Sequence, residues 1–136
     1  MTVNFRTPDR STPFLFPPSI EDWVPENHLS RFVVDIVEQL DLSKFEKAYR
    51  GTGTAAYHPS IMLALLFYGY ATGVFSSRKL EQATYDSVPF RYICRDYHPD
   101  FKTISDFRKR FLKDIEDVFK QILLIAHEMG QLKLGK

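Results

Sequence analysis

The sequence predicts an all-α fold: a compact multi-helix domain with a helix-turn-helix-like pair and a proline-rich N-terminal arm. Three observations predict it. Apolar residues recur in steps of three and four along most of the chain. Ser, Thr, Pro and Gly stand where these runs start and stop. No β-hairpin signal, Gly-rich phosphate loop or internal repeat breaks the pattern. With 136 residues, 44% of them hydrophobic, the chain is long enough to bury one core.

Residues 1–25 hold five of the eight prolines, Pro8, Pro13, Pro17, Pro18 and Pro25, which excludes a long helix there. This segment reads as an extended arm whose Phe14, Leu15, Phe16 and Trp23 rest on the body or on a partner chain. The helical domain is expected over residues 26–130. Its first helix places Leu29, Phe32, Val33, Ile36, Val37 and Leu40 on one face and Arg31, Asp35 and Glu38 on the other. Ser43 with Glu46 forms a capping box for a short second helix ending near Tyr49, before Gly51 and Gly53.

His58-Pro59 opens a third helix, with proline near the first position, where its missing N–H is harmless. From Ile61 to Tyr70 this helix is apolar nearly all round, so it belongs at the centre, and Gly73 stops it. Ser76 or Ser77 caps a helix over about 77–86, and Pro89 begins a short one through Cys94. After the loop YHPDFK, Thr103 caps a helix, with Asp106 three residues on. Ile104, Phe107, Phe111, Ile115, Val118, Ile122, Ile125 and Met129 then continue in step to Gly130, as one long helix or two nearly collinear ones. That seam serves packing within the chain or a homodimer, and packing is preferred. The tail, residues 131–136, reads as the start of a further domain.

Composition narrows the function. A single cysteine, Cys94, excludes an internal disulfide and a CxxC metal site, and it reads as a buried, inert thiol. His28, His58, His98 and His127 form no i, i+4 pair, so no metal is expected. His58 and His98 each precede a proline and should make turn hydrogen bonds. Asp114, Glu116 and Asp117 read as a solvated helix face, not a catalytic cluster. No signal peptide or membrane-spanning stretch is visible, so a cytoplasmic protein without membrane contact is expected.

Net charge is only +1, but residues 76–113 carry nine Lys or Arg against five Asp or Glu, leaving the remainder at −3. Binding to a polyanion depends on such a local excess. On one segment Arg78, Gln82 and Tyr85 share the face opposite Leu80 and Ala83, with Lys79 beside them. Lys102, Lys109, Arg110 and Lys113 point away from Ile104, Phe107 and Phe111 on the other. Thr103 and Ser105 sit near a helix start, suited to a phosphate. Arg108 is on the flank, within reach of a base edge. These two helices resemble a helix-turn-helix that holds double-stranded DNA, and a solvated face is the competing reading.

The runs LFPPSIEDWVPENHLSRFVVDIVEQLDLS, YHPSIMLALLFYGYATGVFSSRKLEQA and PDFKTISDFRKRF resemble the N-terminal region of bacterial insertion-sequence transposases of the DDE superfamily. The resemblance spans roughly residues 15–136. It implies a helical domain that recognises an element's terminal inverted repeats during transposition, with only the SSRK and TISDFRKRF blocks as candidates for DNA contact. In that family an RNase H-like domain follows, whose Asp, Asp and Glu hold two divalent metal ions. The tail LKLGK resembles the lead-in to it. No catalytic residue and no cofactor is therefore assigned to this chain. An oligomerisation module or a truncated regulator is the alternative.

Overall fold

The computed structural model describes residues 20–49 and 57–130. A 3-10 turn, Ile20–Trp23, precedes seven helices: α1 Leu29–Gln39, α2 Ser43–Tyr49, α3 Pro59–Thr72, α4 Ser77–Asp86, α5 Val88–Ile93, α6 Phe101–Arg110 and α7 Leu112–Glu128. No strand occurs among the described residues. The all-α expectation holds.

Helix α3 is the axis of the domain. Pro59 and every residue from Ile61 to Gly69 are buried, so it has no polar face to turn outward. Helices α1, α4 and α5 pack against it, and α4 also packs on α5 and α6. Both α1 and α3 start with the same device: the Nδ1 atoms of His28 and His58 accept the backbone N–H of Ser30 and Ser60 at 3.0 and 3.1 Å. A histidine thus does the work usually given to Ser or Asp at a helix start. Gly73 ends α3 in the left-handed region, at φ 86°.

Among the described residues, Phe45, Phe67, Tyr68, Phe90, Phe107 and Phe111 are the rings buried in the core. Phe45, Phe107 and Phe111 form a cluster that joins α2 to α6, with centroids 4.9–6.0 Å apart. Phe67 meets Phe119 edge-on at 5.0 Å, and Tyr68 meets Phe90 likewise at 4.9 Å. The two YHP segments touch through Tyr57 and Tyr97, edge to face at 5.7 Å. The seam from Ile104 through Phe107, Phe111, Ile115 and Val118 to Ile122 is buried within the chain, while Ile125 is half-buried and Met129 exposed.

Three local expectations are corrected, and of the two alternatives for the stretch from residue 103 to 130, two helices form. The cap of α6 is Asp100, whose carboxylate accepts the Thr103 N–H at 2.8 Å, and Thr103 lies inside the helix. The α6–α7 stretch breaks at Phe111, at φ −117°. The Ser43–Glu46 capping box does not form: Asp41 accepts the Ser43 N–H at 3.1 Å, and Glu46 turns to His58 Nε2 at 3.1 Å. His98 makes no turn bond of its own and instead reaches Thr84 on α4.

Of the arm, Phe14, Leu15 and Phe16 lie outside the described residues, as does the tail 131–136. Its last part is pinned: Val24 is buried and its carbonyl accepts from the Arg31 guanidinium at 2.7 Å. The Arg91 guanidinium lies 5.4 Å above the half-exposed Trp23 ring. No single described helix is long and apolar enough to cross a membrane.

Cys94 is fully buried, and burial pushes its thiol up to about 12. Since the thiolate is the reactive form, iodoacetamide at mildly alkaline pH should leave Cys94 unmodified in the folded chain and label it completely in urea. Rapid labelling of folded protein would contradict this burial.

Candidate nucleic-acid interface

Helices α4 and α6 lie against each other, and two contacts set their alignment. On α6, Phe101 and Arg108 are seven residues apart and so share one flank. Phe101 slides under Arg78, whose guanidinium stands 3.8 Å above the ring. Arg108 donates to the Ser77 hydroxyl at 3.2 Å and to the Phe75 carbonyl. Burial lowers the pKa of the half-buried Arg108, which still stays charged at neutral pH.

The two helix starts differ in sign. At α6, the Glu81 carboxylate from α4 accepts the Phe101 N–H at 2.9 Å, beside the Asp100 cap. The Thr103 backbone N–H, and then its hydroxyl, holds the Asp100 carboxyl below the ordinary carboxylate value. Two carboxylates already occupy that helix end, so Thr103 and Ser105 stand beside negative charge and not at an open phosphate seat. At α4, neutral Ser76 caps the Lys79 N–H at 3.0 Å, and the first turn carries no acid. Arg78, Lys79 and Arg108 cluster there, adding to the positive end of the helix dipole.

The ten sequence-predicted residues divide into two groups. Arg78, Lys79, Gln82, Lys102, Thr103, Ser105, Arg108 and Lys109 come together on the α4–α6 pair. Arg78, Lys79, Lys102 and Lys109 are exposed, and Gln82 donates to Asp86 at 2.7 Å. Lys102 and Lys109 share a stripe of α6 with Asp106 between them. Arg110 turns the other way and donates to the Ala48 carbonyl of α2. Lys113 lies beyond the break, on α7, one residue before Asp114, which pairs with Lys44 at 3.5 Å.

Tyr85, expected on the same face of α4 as Arg78 and Gln82, is not among those ten. Tyr85 stacks on His98 with centroids 3.9 Å apart and planes 4° from parallel, while remaining 53% exposed. Its signal was in the sequence: Tyr85 falls seven residues after Arg78 and so on the same stripe of α4.

Among the described residues, no group of three or more His, Cys, Asp or Glu side chains is placed to hold a metal ion. A family model described as Transposase domain (DUF772) matches residues 18–110. The match takes in α1 through the last residue of α6, and hence both helices of the pair. Neither a curated protein nor a solved structure matches the chain.

Proposed function

As the chain belongs to the transposase domain family DUF772, we propose that it holds double-stranded DNA on its α4–α6 pair, as the element-end binding part of a DDE transposase. The observation that carries the reading is the cluster of Arg78, Lys79, Lys102 and Lys109. These exposed cations are fixed in register by the Arg108 fork, inside the segment that carries the chain's positive excess. Lysines at this spacing neutralise backbone phosphates and give affinity without sequence information. Gln82 and Arg78 on α4 supply the side chains that read base edges in the terminal inverted repeats. Strand cleavage belongs, in this reading, to a metal-binding domain outside the described residues. A homodimer formed through the 104–129 seam finds most of that surface already used by the core.

The test is the salt dependence of duplex binding. A protein that displaces counterions loses affinity linearly in log salt, by about one unit of slope for each phosphate contact. Replacing Lys102 and Lys109 together with alanine should weaken binding to any duplex and lower the slope by about 2. A slope unmoved by the double change, or no salt dependence at all, rejects the reading. The element's own ends should also bind more tightly than random duplex.

A further inference from the structure

Beside the basic cluster, α4 carries two stacks built the same way. In one, Phe101 lies beneath the Arg78 guanidinium at 3.8 Å. In the other, His98 lies beneath Tyr85 at 3.9 Å, nearly parallel. In each, the outer member comes from α4, and the inner member is the first residue of α6, Phe101, or lies in the loop before it, His98. Tyr85 keeps 53% of its surface exposed although the imidazole covers one face, so the opposite face is open. Arg78 is exposed as well. The two outer planes are seven residues apart on one helix stripe, about 10 Å along the axis.

The Tyr85 stack is locked from below. The buried Thr84 hydroxyl donates to the Glu81 carbonyl at 2.7 Å and lies 3.2 Å from His98 Nδ1. Because that hydroxyl hydrogen is used, His98 donates through Nδ1, which fixes its ring and hence the Tyr85 plane. An exposed tyrosine with no such support would sample several rotamers and lose entropy when ordered by a ligand. Here the plane is already set.

We propose that Tyr85 and Arg78 are two seats for unpaired bases, so that the α4–α6 pair takes DNA whose strands are separated at one end in preference to a closed duplex. The proposal rests on the reading of this pair as a DNA-binding surface. Unpaired bases stack on aromatic rings and on guanidinium planes, and paired bases have no free face to offer. Lys79 and Lys102, both exposed and each next in sequence to a member of the Arg78–Phe101 stack, take the phosphates of the same strand. The nearby carboxylates keep their charge but are held within the pair, Glu81 on the Phe101 N–H, Asp100 on the Thr103 N–H and Asp86 on Gln82.

The experiment compares the full chain's affinity for a blunt duplex of random sequence with that for the same duplex bearing a short oligo-dT extension. A fluorescent adenine analogue within the extension reports stacking. The extended probe should bind about tenfold more tightly, and the analogue's emission should be quenched on binding. Tyr85→Leu should abolish both effects and leave blunt-duplex affinity within about twofold, and Tyr85→Phe should restore them. Equal binding of the two probes, or an advantage that survives Tyr85→Leu, overturns the proposal while blunt-duplex binding stands. Loss of blunt-duplex binding by the unmodified chain would instead remove the reading beneath it. Circular dichroism confirms that the variants fold.

Discussion

Gly69→Ala should lower the melting temperature by roughly 8 °C, the largest effect expected of so small a change. A Cβ at this position would lie 2.6 Å from Leu80 Cδ2 and 2.6 Å from the Val74 carbonyl oxygen. The first neighbour is a fully buried side chain and the second is backbone, so neither yields easily. Alanine would gain about 1 kcal/mol of helix propensity over glycine. Forcing an extra carbon into a packed interior costs about 1–3 kcal/mol and sometimes more. With contacts on two sides, the net loss should be near 2 kcal/mol, and 1 kcal/mol corresponds to about 4 °C at this chain length.

The source of that loss can be separated from glycine's conformational freedom. Gly73 sits at φ 86° with open space around it. Gly73→Ala should therefore cost about 1 kcal/mol through backbone strain alone, and Gly73→Asn should recover part of it. Trimming Leu80 to alanine should add less in the Gly69→Ala background than it costs alone, because the two changes compete for one space. Strict additivity, or a Gly69→Ala protein as stable as the parent, would show that α3 and α4 are not in contact there.

Arg108→Ala should cost both stability and DNA affinity, and the combination is diagnostic. Its guanidinium bridges α6 to the Phe75 carbonyl and the Ser77 hydroxyl at the start of α4. Charged hydrogen bonds of this kind contribute about 1.5–3 kcal/mol when shielded, and partial exposure reduces the pair to roughly 1–2 kcal/mol in all. With the fork gone, Arg78 and Lys79 lose their alignment with Lys102 and Lys109. Affinity should then fall about tenfold on every duplex alike. Arg108→Lys keeps the charge but lacks the planar fork, so it should restore little. An arginine that read a base would behave otherwise: its removal would relax sequence preference and leave the melting temperature unchanged. Thermal melting and binding to matched and mismatched duplexes, run on the same three proteins, distinguish the two.

Helices α1, α3 and α4 are legible in the sequence because their signals are local. His58-Pro59 and Gly73 bracket an apolar run, and Ser76 stands three residues before the N–H it caps. The start of α6 is not legible in this way. Asp100 precedes Thr103 by the same three residues that separate Thr103 from Asp106, so both are acceptable caps by spacing. What favours Asp100 is Glu81, arriving from α4 to take the Phe101 N–H. The break at Phe111 is invisible for a related reason. Its ring is buried beside Phe45 and Phe107, in step with the seam, so the apolar period runs through a residue where the helix does not.

The same distinction holds at the interface. The basic residues of 76–113 can be counted from the sequence, but their engagements cannot. Arg108 and Arg110 bind backbone carbonyls of Phe75 and Ala48, 33 and 62 residues away, and a carbonyl carries no residue identity for a pattern to register. The Tyr85–His98 stack was half legible, since Tyr85 shares a stripe with Arg78, while His98 arrives through the fold.

The burial of α3 on all sides also bears on what shortened copies of such a gene can do. Helices before it and after it use it as a common wall, so neither group encloses an interior alone. A reading frame interrupted ahead of α4 would leave Phe67 and Tyr68 without Phe119 and Phe90, which pack on them, and exposed apolar surface of that kind associates indiscriminately. A shortened copy that keeps a closed core must therefore run past α3 into the helices that cover it.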